Sequence, residues 1–368
     1  NDRGQIGDGT RGTQRYTPTT VSLPAGKAPV SISVSGTYGN HFCSTMDDGS
    51  LYCWGSNENG QLGLGHKCLS GSYIDGCNGN YGHSSPMQVS LPVGRTATAV
   101  SAGYWHTCAI LDDGSVWCWG ANTQGELGVG NSSNTGDWRY SPNAVMMPSG
   151  TTAVAIAIGD QHSCMVVDDG RAFCWGYGGA GEIGDGSTSN RNMPTQVYGS
   201  ASYVSISSGP EFNCAITNLG TVQCWGLNNH EQLGLGYDGG SGYSTPQNTA
   251  LPAGIDTSSL ALGAHHGCAV LETMSVYCWG QDDYGQLATS YGCQNDYTNG
   301  CSGNDRSTPA PAQLPTGRSG IAVTAGYYFT CVFIDNGGIY CFGENYDGQL
   351  GNGSTDGGCL LHNPHYDF

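Results

Sequence analysis

Positive charge is scarce in this sequence. The 368 residues include 11 Lys and Arg against 29 Asp and Glu, a formal net charge of −18. Binding to nucleic acid draws on clustered Lys and Arg, so no nucleic-acid partner is expected. Charge of either sign is thin, at 11% of residues. No apolar run approaches the roughly 18 residues of a spanning helix, so no membrane span is expected. A helical hydrophobic period is also missing. So are the Gly-x-Ser-x-Gly elbow, the His-Glu-x-x-His pair and the phosphate loop, which argues against an enzyme. No cofactor and no metal are expected. The turns Asp47-Asp48-Gly49, Asp112-Asp113-Gly114 and Asp168-Asp169-Gly170 lack the alternating acids of an EF-hand loop and read as ordinary hairpin turns. Asn1 opens the chain without Met, as in a processed or trimmed chain.

What the chain has in excess is glycine, 61 residues, and cysteine, 17. Twelve cysteines form six pairs of one spacing. They are Cys43 with Cys53, Cys108 with Cys118, Cys164 with Cys174, Cys214 with Cys224, Cys268 with Cys278, and Cys331 with Cys341. Each pair flanks a short turn between apolar runs. Residues opposed across an antiparallel hairpin lie close enough for a disulfide. Nine intervening residues suit CxxC zinc chemistry poorly, and no second ligand pair recurs beside each one. Cross-strand disulfides are therefore expected, and with them an oxidising compartment: secreted or at the cell surface. Two further pairs, Cys68 with Cys77 and Cys293 with Cys301, fall in long loops. Cys359 is left over, either unpaired or available to another chain.

The hairpin recurs six times, and a glycine-rich corner follows each copy. The corners are GQLGLG from Gly60, GELGVG from Gly125, GEIGDG from Gly181, EQLGLG from Glu231, GQLATS from Gly285 and GQLGNG from Gly348. A seventh, GQIGDG from Gly4, opens the chain without a hairpin before it. Two more strand-like runs lie between a corner and the next hairpin. One follows a Pro, as in Pro86 to Val89; the other alternates branched residues, as in Val154, Ile156 and Ile158. Four short strands per repeat of about 50–65 residues predict an all-β fold, a β-propeller of four-stranded blades. It is read as a single domain over 1–368 with six complete repeats. Seven corners against six hairpins leave two arrangements. Six blades close with the N-terminal strand and 347–368 is a tail, or there are seven blades and the last is cut short. The lone Cys359 favours the second.

The stretch CAILDDGSVWCWGANTQGELG from Cys108, with His106 two places before it, resembles the repeat of the regulator-of-chromosome-condensation propellers. The resemblance extends over essentially the whole chain, and the paired cysteines are similar to a secreted, stapled branch of that family. Thr273-Met274 in place of Asp-Gly and the shortened corner GQLATS are local departures. The family includes a nuclear exchange factor, light receptors and secreted inhibitors of β-lactamase. What it implies is a protein-binding scaffold rather than one activity.

The Trp after the second Cys (Trp54, Trp119, Trp175, Trp225, Trp279; Phe342 once) reads as a wedge between blades. The recurrent His41, His106, His162 and His266 would sit on different blades, too far apart for one ion. Each is expected to be satisfied within its own blade. The residue just before that position does not repeat: Asn40, Trp105, Gln161, Glu211, His265 and Tyr328, with Tyr104, Asp160 and Tyr327 ahead of three of them. Symmetry gathers these on one rim, where aromatic anchors favour binding. The long loops 66–85, 131–141, 237–245 and 291–307 form a second candidate surface. Asn131 and Asn352 begin N-glycosylation sequons. The leading reading is an extracellular interaction or structural module with a protein partner or self-assembly. Its rivals are a secreted enzyme inhibitor and a carbohydrate-binding propeller, the partner then being a glycan. A hydrolase would have Glu211 and Asp160 as its only rim acids.

Overall fold

In the computed structural model, residues 1–34, 40–71, 77, 81–132, 137–237, 239–289 and 305–355 are described. They form six antiparallel sheets in chain order, five of four strands and one of three. Blade one holds β1 (Pro29–Val34), β2 (His41–Met46), β3 (Leu51–Ser56) and β4 (Gly82–Gln88). Blade two holds β5 (Ala97–Ala102), β6 (His106–Leu111), β7 (Val116–Ala121) and β8 (Trp138–Ala144). Blade three holds β9 (Ala153–Ile158), β10 (His162–Val167), β11 (Ala172–Gly176) and β12 (Arg191–Gln196). Blade four holds β13 (Tyr203–Ser208), β14 (Phe212–Thr217), β15 (Val222–Leu227) and β16 (Gly242–Asn248). Blade five holds β17 (Thr257–Leu262), β18 (His266–Leu271), β19 (Val276–Gly280) and β20 (Arg306–Pro311). Blade six holds β21 (Gly320–Ala325), β22 (Phe329–Ile334) and β23 (Ile339–Gly343).

The hairpin register follows from the turn. In blade two, Asp113 accepts hydrogen bonds from the backbone and hydroxyl of Ser115, at 3.0 and 2.6 Å, and Gly114 takes φ +75°. That turn places Cys108 directly opposite Cys118. The same opposition recurs for Cys43 and Cys53, Cys164 and Cys174, Cys214 and Cys224, Cys268 and Cys278, and Cys331 and Cys341. All six pairs are disulfides, as the spacing predicts, with Cα separations of 4.0–4.1 Å. Cys68 and Cys77 are also joined. Cys293, Cys301 and Cys359 lie outside the described residues. The outer strand departs from expectation. It begins before the Pro rather than after it, with Pro86 inside β4 at a register slip opposite the Cys53-to-Gly55 stretch. An edge strand accommodates Pro because its outward N–H has no ladder partner to lose.

Each blade buries one face against its neighbour. Cys43, Leu51, Cys53 and Leu62 of blade one meet Ala109, Leu111 and Trp119 of blade two, and four similar cores follow around the ring. The corner makes the joint specific. The indole N–H of Trp119 donates to the Gln61 carbonyl at 2.9 Å, and Gly63 lies against the ring where no side chain fits. Trp54, Trp175, Trp225 and Trp279 donate likewise to Gln5, Glu126, Glu182 and Gln232.

The histidines differ from expectation, because they reach across to the next blade. Nε2 of His41, His106, His162 and His266 bonds Thr107, Ser163, Asn213 and Thr330, at 2.8–2.9 Å. Each of these four side chains in turn donates to a corner carbonyl, those of Gln61, Glu126, Glu182 and Gln286, at 2.8–2.9 Å. The oxygen facing the histidine can then only accept, so Nε2 carries a proton. Phe212 replaces the histidine where the facing residue is Gly267, which has no side chain to bond. Repeat symmetry alone cannot say whether a side chain closes on its own blade or the next.

The two ends meet in the same grammar. Gly353 N donates to the Tyr16 carbonyl at 2.7 Å, as Gly65 N does to Tyr140 and Gly9 N to Ser84. The corner from Gly348 thus bonds the N-terminal segment as the other corners bond the outer strand of the next blade. The segment about Tyr16 stands where an outer strand would stand in a seventh position. Among the described residues nothing fills the hairpin of that position. Phe333 and Ile339 of blade six are 40% and 48% exposed, against 4% and 0% for Ile110 and Val116 at the same places in blade two.

Candidate functional site

The loops leading into the six hairpins all lie at one end of the sheets, opposite the Asp-Gly turns. One backbone bond repeats through them. The carbonyls of Asn40, Trp105, Gln161, Glu211, His265 and Tyr328 accept from Ser56, Ala121, Tyr177, Leu227, Gln281 and Glu344, at 2.8–2.9 Å. These residues therefore occupy one equivalent rim position. Gly120 supports the bond in blade two: with φ +105°, an added Cβ would lie 2.3 Å from the Trp105 carbonyl. Backbone bonds hold the rim positions rigidly, so the side chains there can vary without disturbing the blade.

Their surroundings vary. Asn40 and Glu211 are exposed, while Tyr104, Trp105, Gln161, His265, Tyr327 and Tyr328 are half-buried. Tyr104 and Trp105 pack on each other with ring centroids 4.4 Å apart. Asp160 and Glu211 come from adjacent blades, where the Asp160 N–H donates to the Pro210 carbonyl at 3.1 Å.

The densest grouping pairs a loop of one blade with the corner of the blade before it. Tyr328 packs on Tyr284 with the rings tilted and their centroids 4.8 Å apart, Tyr327 meets Tyr328 edge-on at 4.2 Å, and Tyr346 stands edge-on to Tyr284 at 6.4 Å. Four tyrosines from blades five and six thus form one patch. Burial first, then the nearby Glu344, raises the Tyr284 phenol above its ordinary range. Burial and the neighbouring Asp347 raise the Glu344 carboxyl. One blade earlier, His265 lies 4.7 Å from His230, whose Nδ1 is 3.0 Å from Asp305. Burial, then His230, holds His265 down at about 4. Sequence reasoning named Tyr327, Tyr328 and His265. It missed Tyr284, Tyr346 and His230, which sit in corners where residues before the Gly or Glu also fail to repeat.

The corners carry the main pH sensitivity. Gln61, Gln232, Gln286 and Gln349 occupy one corner position, but blades two and three have Glu126 and Glu182 there. Burial raises the Glu182 carboxyl to about 7; Oε1 is buried and without a partner. The folded state therefore holds this proton more tightly than the unfolded chain. Its stabilisation is complete below the ordinary glutamate range and is lost as pH rises through about 7. A shift of that size corresponds to a few kcal/mol, on the order of 3. Glu182→Gln should raise the melting temperature at about pH 8 and leave it nearly unchanged near pH 5. Calorimetry at both values checks this, and an equal gain at each would remove the titration argument. Desolvation acts oppositely on His106, His162 and His266, which fall to about 3, 4 and 3. Their contribution is present above the ordinary histidine range and is lost as pH falls through those values.

Asn131 is exposed. Asn352 has its Nδ2 buried while its Oδ1 accepts the Ser354 N–H at 3.0 Å. Residues 291–304 of the loop 291–307, and parts of the other long loops, lie outside the described residues.

Six stapled blades, five of them locked corner to indole, with a varied aromatic rim, define a repeat β-propeller built as a rigid scaffold. The chain belongs to the RCC1-like domain family, whose family model matches residues 1–364. It is 30% identical over 357 residues to the ultraviolet-B receptor UVR8 of Arabidopsis thaliana, covering 96% of this chain and 73% of that protein. It is 36% identical over 170 residues to the mitochondrial RCC1 domain-containing protein RUG3 of Arabidopsis thaliana, covering 45% and 35%. It is 28% identical over 362 residues to human E3 ubiquitin-protein ligase HERC2, covering 97% of this chain and 7% of HERC2. The chain thus spans about a third of RUG3 and a small part of HERC2. The fold is similar to yeast RCC1 (Prp20), solved bound to Kap60, with a TM-score of 0.74, 23% identity and coverage of 90% and 73%. It is also similar to human WBSCR16, with a TM-score of 0.75, 19% identity and coverage of 91% and 82%.

Proposed function

We propose that this chain is a non-catalytic, extracellular binding module that holds a protein partner against the rim of blades five and six. The tyrosine patch of Tyr284, Tyr327, Tyr328 and Tyr346 carries the reading. Aromatic side chains on a preorganised surface anchor protein contacts at little entropic cost. Glu344, Asp347 and Asp283 lie around the patch, and the whole chain is acidic. A partner surface with Lys and Arg among apolar groups complements it. The neighbours support binding as the mode: yeast RCC1 was solved in complex with Kap60. The seven disulfides among the described residues favour an oxidising compartment.

The test is affinity capture from the native source with three baits. These are the unaltered chain, the double variant Tyr284→Ala with Tyr328→Ala, and Tyr198→Ala, a control at an exposed tyrosine after blade three. A protein retained by the first and third baits and lost from the second supports the proposal. Equal retention by all three contradicts it, and recovery of glycans without protein favours the carbohydrate reading.

A further inference from the structure

The hairpin turns carry an ion pair on four blades and change character on the other two. One backbone bond makes the turns comparable. The N–H groups of Asp47, Asp112, Asp168, Asn218, Glu272 and Asp335 donate to the carbonyls of Ala28, Thr96, Thr152, Ser202, Asp256 and Ser319. The residue before each of those carbonyls is Lys27, Arg95, Thr151, Ala201, Ile255 and Arg318. Lys27 pairs with Asp48, Arg95 with Asp113 at 2.9 Å, and Arg318 with Asp335 at 3.7 Å. Blade three draws its cation from the turn itself, Arg171 reaching Asp169 at 2.7 Å. In blade four both partners are gone: Ala201 stands for the cation and Asn218-Leu219 for the acids. In blade five Ile255 stands for the cation, beside the turn Glu272-Thr273-Met274.

The exchange leaves apolar surface. Leu219 is 75% exposed and Met274 47%. Between the blade-four turn and the link into β17 lies an open groove of about 570 Å³, with Leu219, Leu251, Pro252 and Ile255 on its apolar walls. That is room for more than one large side chain. Backbone bonds hold the link in place: the Thr257 N–H donates to the Gly220 carbonyl at 3.0 Å, and the Glu272 N–H to the Asp256 carbonyl at 2.8 Å. The Asp256 carboxyl lines the groove close beside the turn, where an added Cβ on Gly220 would lie 2.3 Å from it. Asp256 and Glu272 are exposed. Between Arg191 and Arg306 the sequence has nine Asp or Glu and no Lys or Arg. Apolar walls edged by acids favour an apolar side chain with cations on its flanks, and they repel anionic bilayers and nucleic acid.

We propose that the groove between the blade-four turn and the 249–257 link is a second docking site, at the opposite end of the sheets from the tyrosine patch, for a basic peptide segment. A large apolar residue of that segment seats against Leu219, Leu251 and Ile255. Lys or Arg on its flanks meets Asp256 and Glu272. The blades that keep their turn ion pairs satisfy the same places internally and offer no such seat.

The test selects a phage-displayed library of random dodecapeptides on the immobilised full chain. Three variants sort the recovered peptides. Ala201→Arg with Leu219→Asp rebuilds the ion pair of blade two and sets a long side chain across the groove. Leu219→Ser removes apolar wall at an exposed position without adding charge. Tyr284→Ala with Tyr328→Ala removes the rim patch alone. The expected peptides join a large apolar residue to flanking Lys or Arg. Synthetic copies, titrated by fluorescence anisotropy, should lose affinity on the order of tenfold or more with the first variant, less with the second, and none with the third. Asp256→Asn with Glu272→Gln should weaken binding and flatten its salt dependence. Recovery of no such class of peptide would overturn the proposal, as would binding that the groove variants leave unchanged. Self-association of the chain that Leu219→Ser abolishes would assign the groove to a second copy and overturn it too.

Discussion

Trp119→Ala should lower the unfolding free energy by about 3–5 kcal/mol, the range for truncating a fully buried aromatic. Trp119 is wholly buried between blades one and two, against Leu51, Leu62, Val89 and Leu111. Its removal leaves a cavity that flanking blades, each tied by a disulfide, cannot readily collapse. It also forfeits the indole bond to Gln61, a further ~1 kcal/mol. Trp119→Phe separates the two contributions, because blade six places Phe342 at this position and buries it. That variant should recover most of the loss. Denaturant unfolding followed by far-ultraviolet circular dichroism measures both. A Trp119→Ala loss below about 1 kcal/mol would mean that the corner lock does not hold the blades together.

Replacing Tyr284 and Tyr328 together with Ala should weaken the captured partner by two to three orders of magnitude, with a melting temperature close to that of the unaltered chain. Central aromatic anchors lose about 2–4 kcal/mol each on truncation, and paired losses are rarely fully additive. The stability effect is small because these rings are only half-buried, and their backbones are held by bonds from Glu344 N–H to the Tyr328 carbonyl and from Tyr284 N–H to the Gln286 side chain. Titration calorimetry against the purified partner gives the affinity. Substituting Phe for both tyrosines keeps the ring contact and should cost less than tenfold. A large fall in melting temperature with unchanged affinity would assign the patch to packing.

The fold was legible because the repeat states it six times. A turn, an opposed cysteine pair and a corner recur in register, and a four-stranded blade is the unit that uses them all. The rim position was legible for the inverse reason: Trp105, Glu211 and Tyr328 vary where their neighbours do not. What escaped the sequence lies between blades. Whether His106 bonds inside blade two or reaches Ser163 depends on side-chain direction and the offset of adjacent sheets, neither of which a one-dimensional repeat encodes. The pairing of Tyr328 with Tyr284 depends on the same offset. The Phe212–Gly267 pair held a usable signal, since histidine is lost just where its cross-blade partner loses its side chain.

The most direct test of a binding rim is hydrogen–deuterium exchange of the full chain with and without its captured partner. Slowed exchange is predicted in segments 281–285, 326–329 and 344–347, and none at the hairpin turns 47–49, 112–114 and 168–170. Protection at those turns or along β4, β8 and β12, with the rim unchanged, would contradict the account.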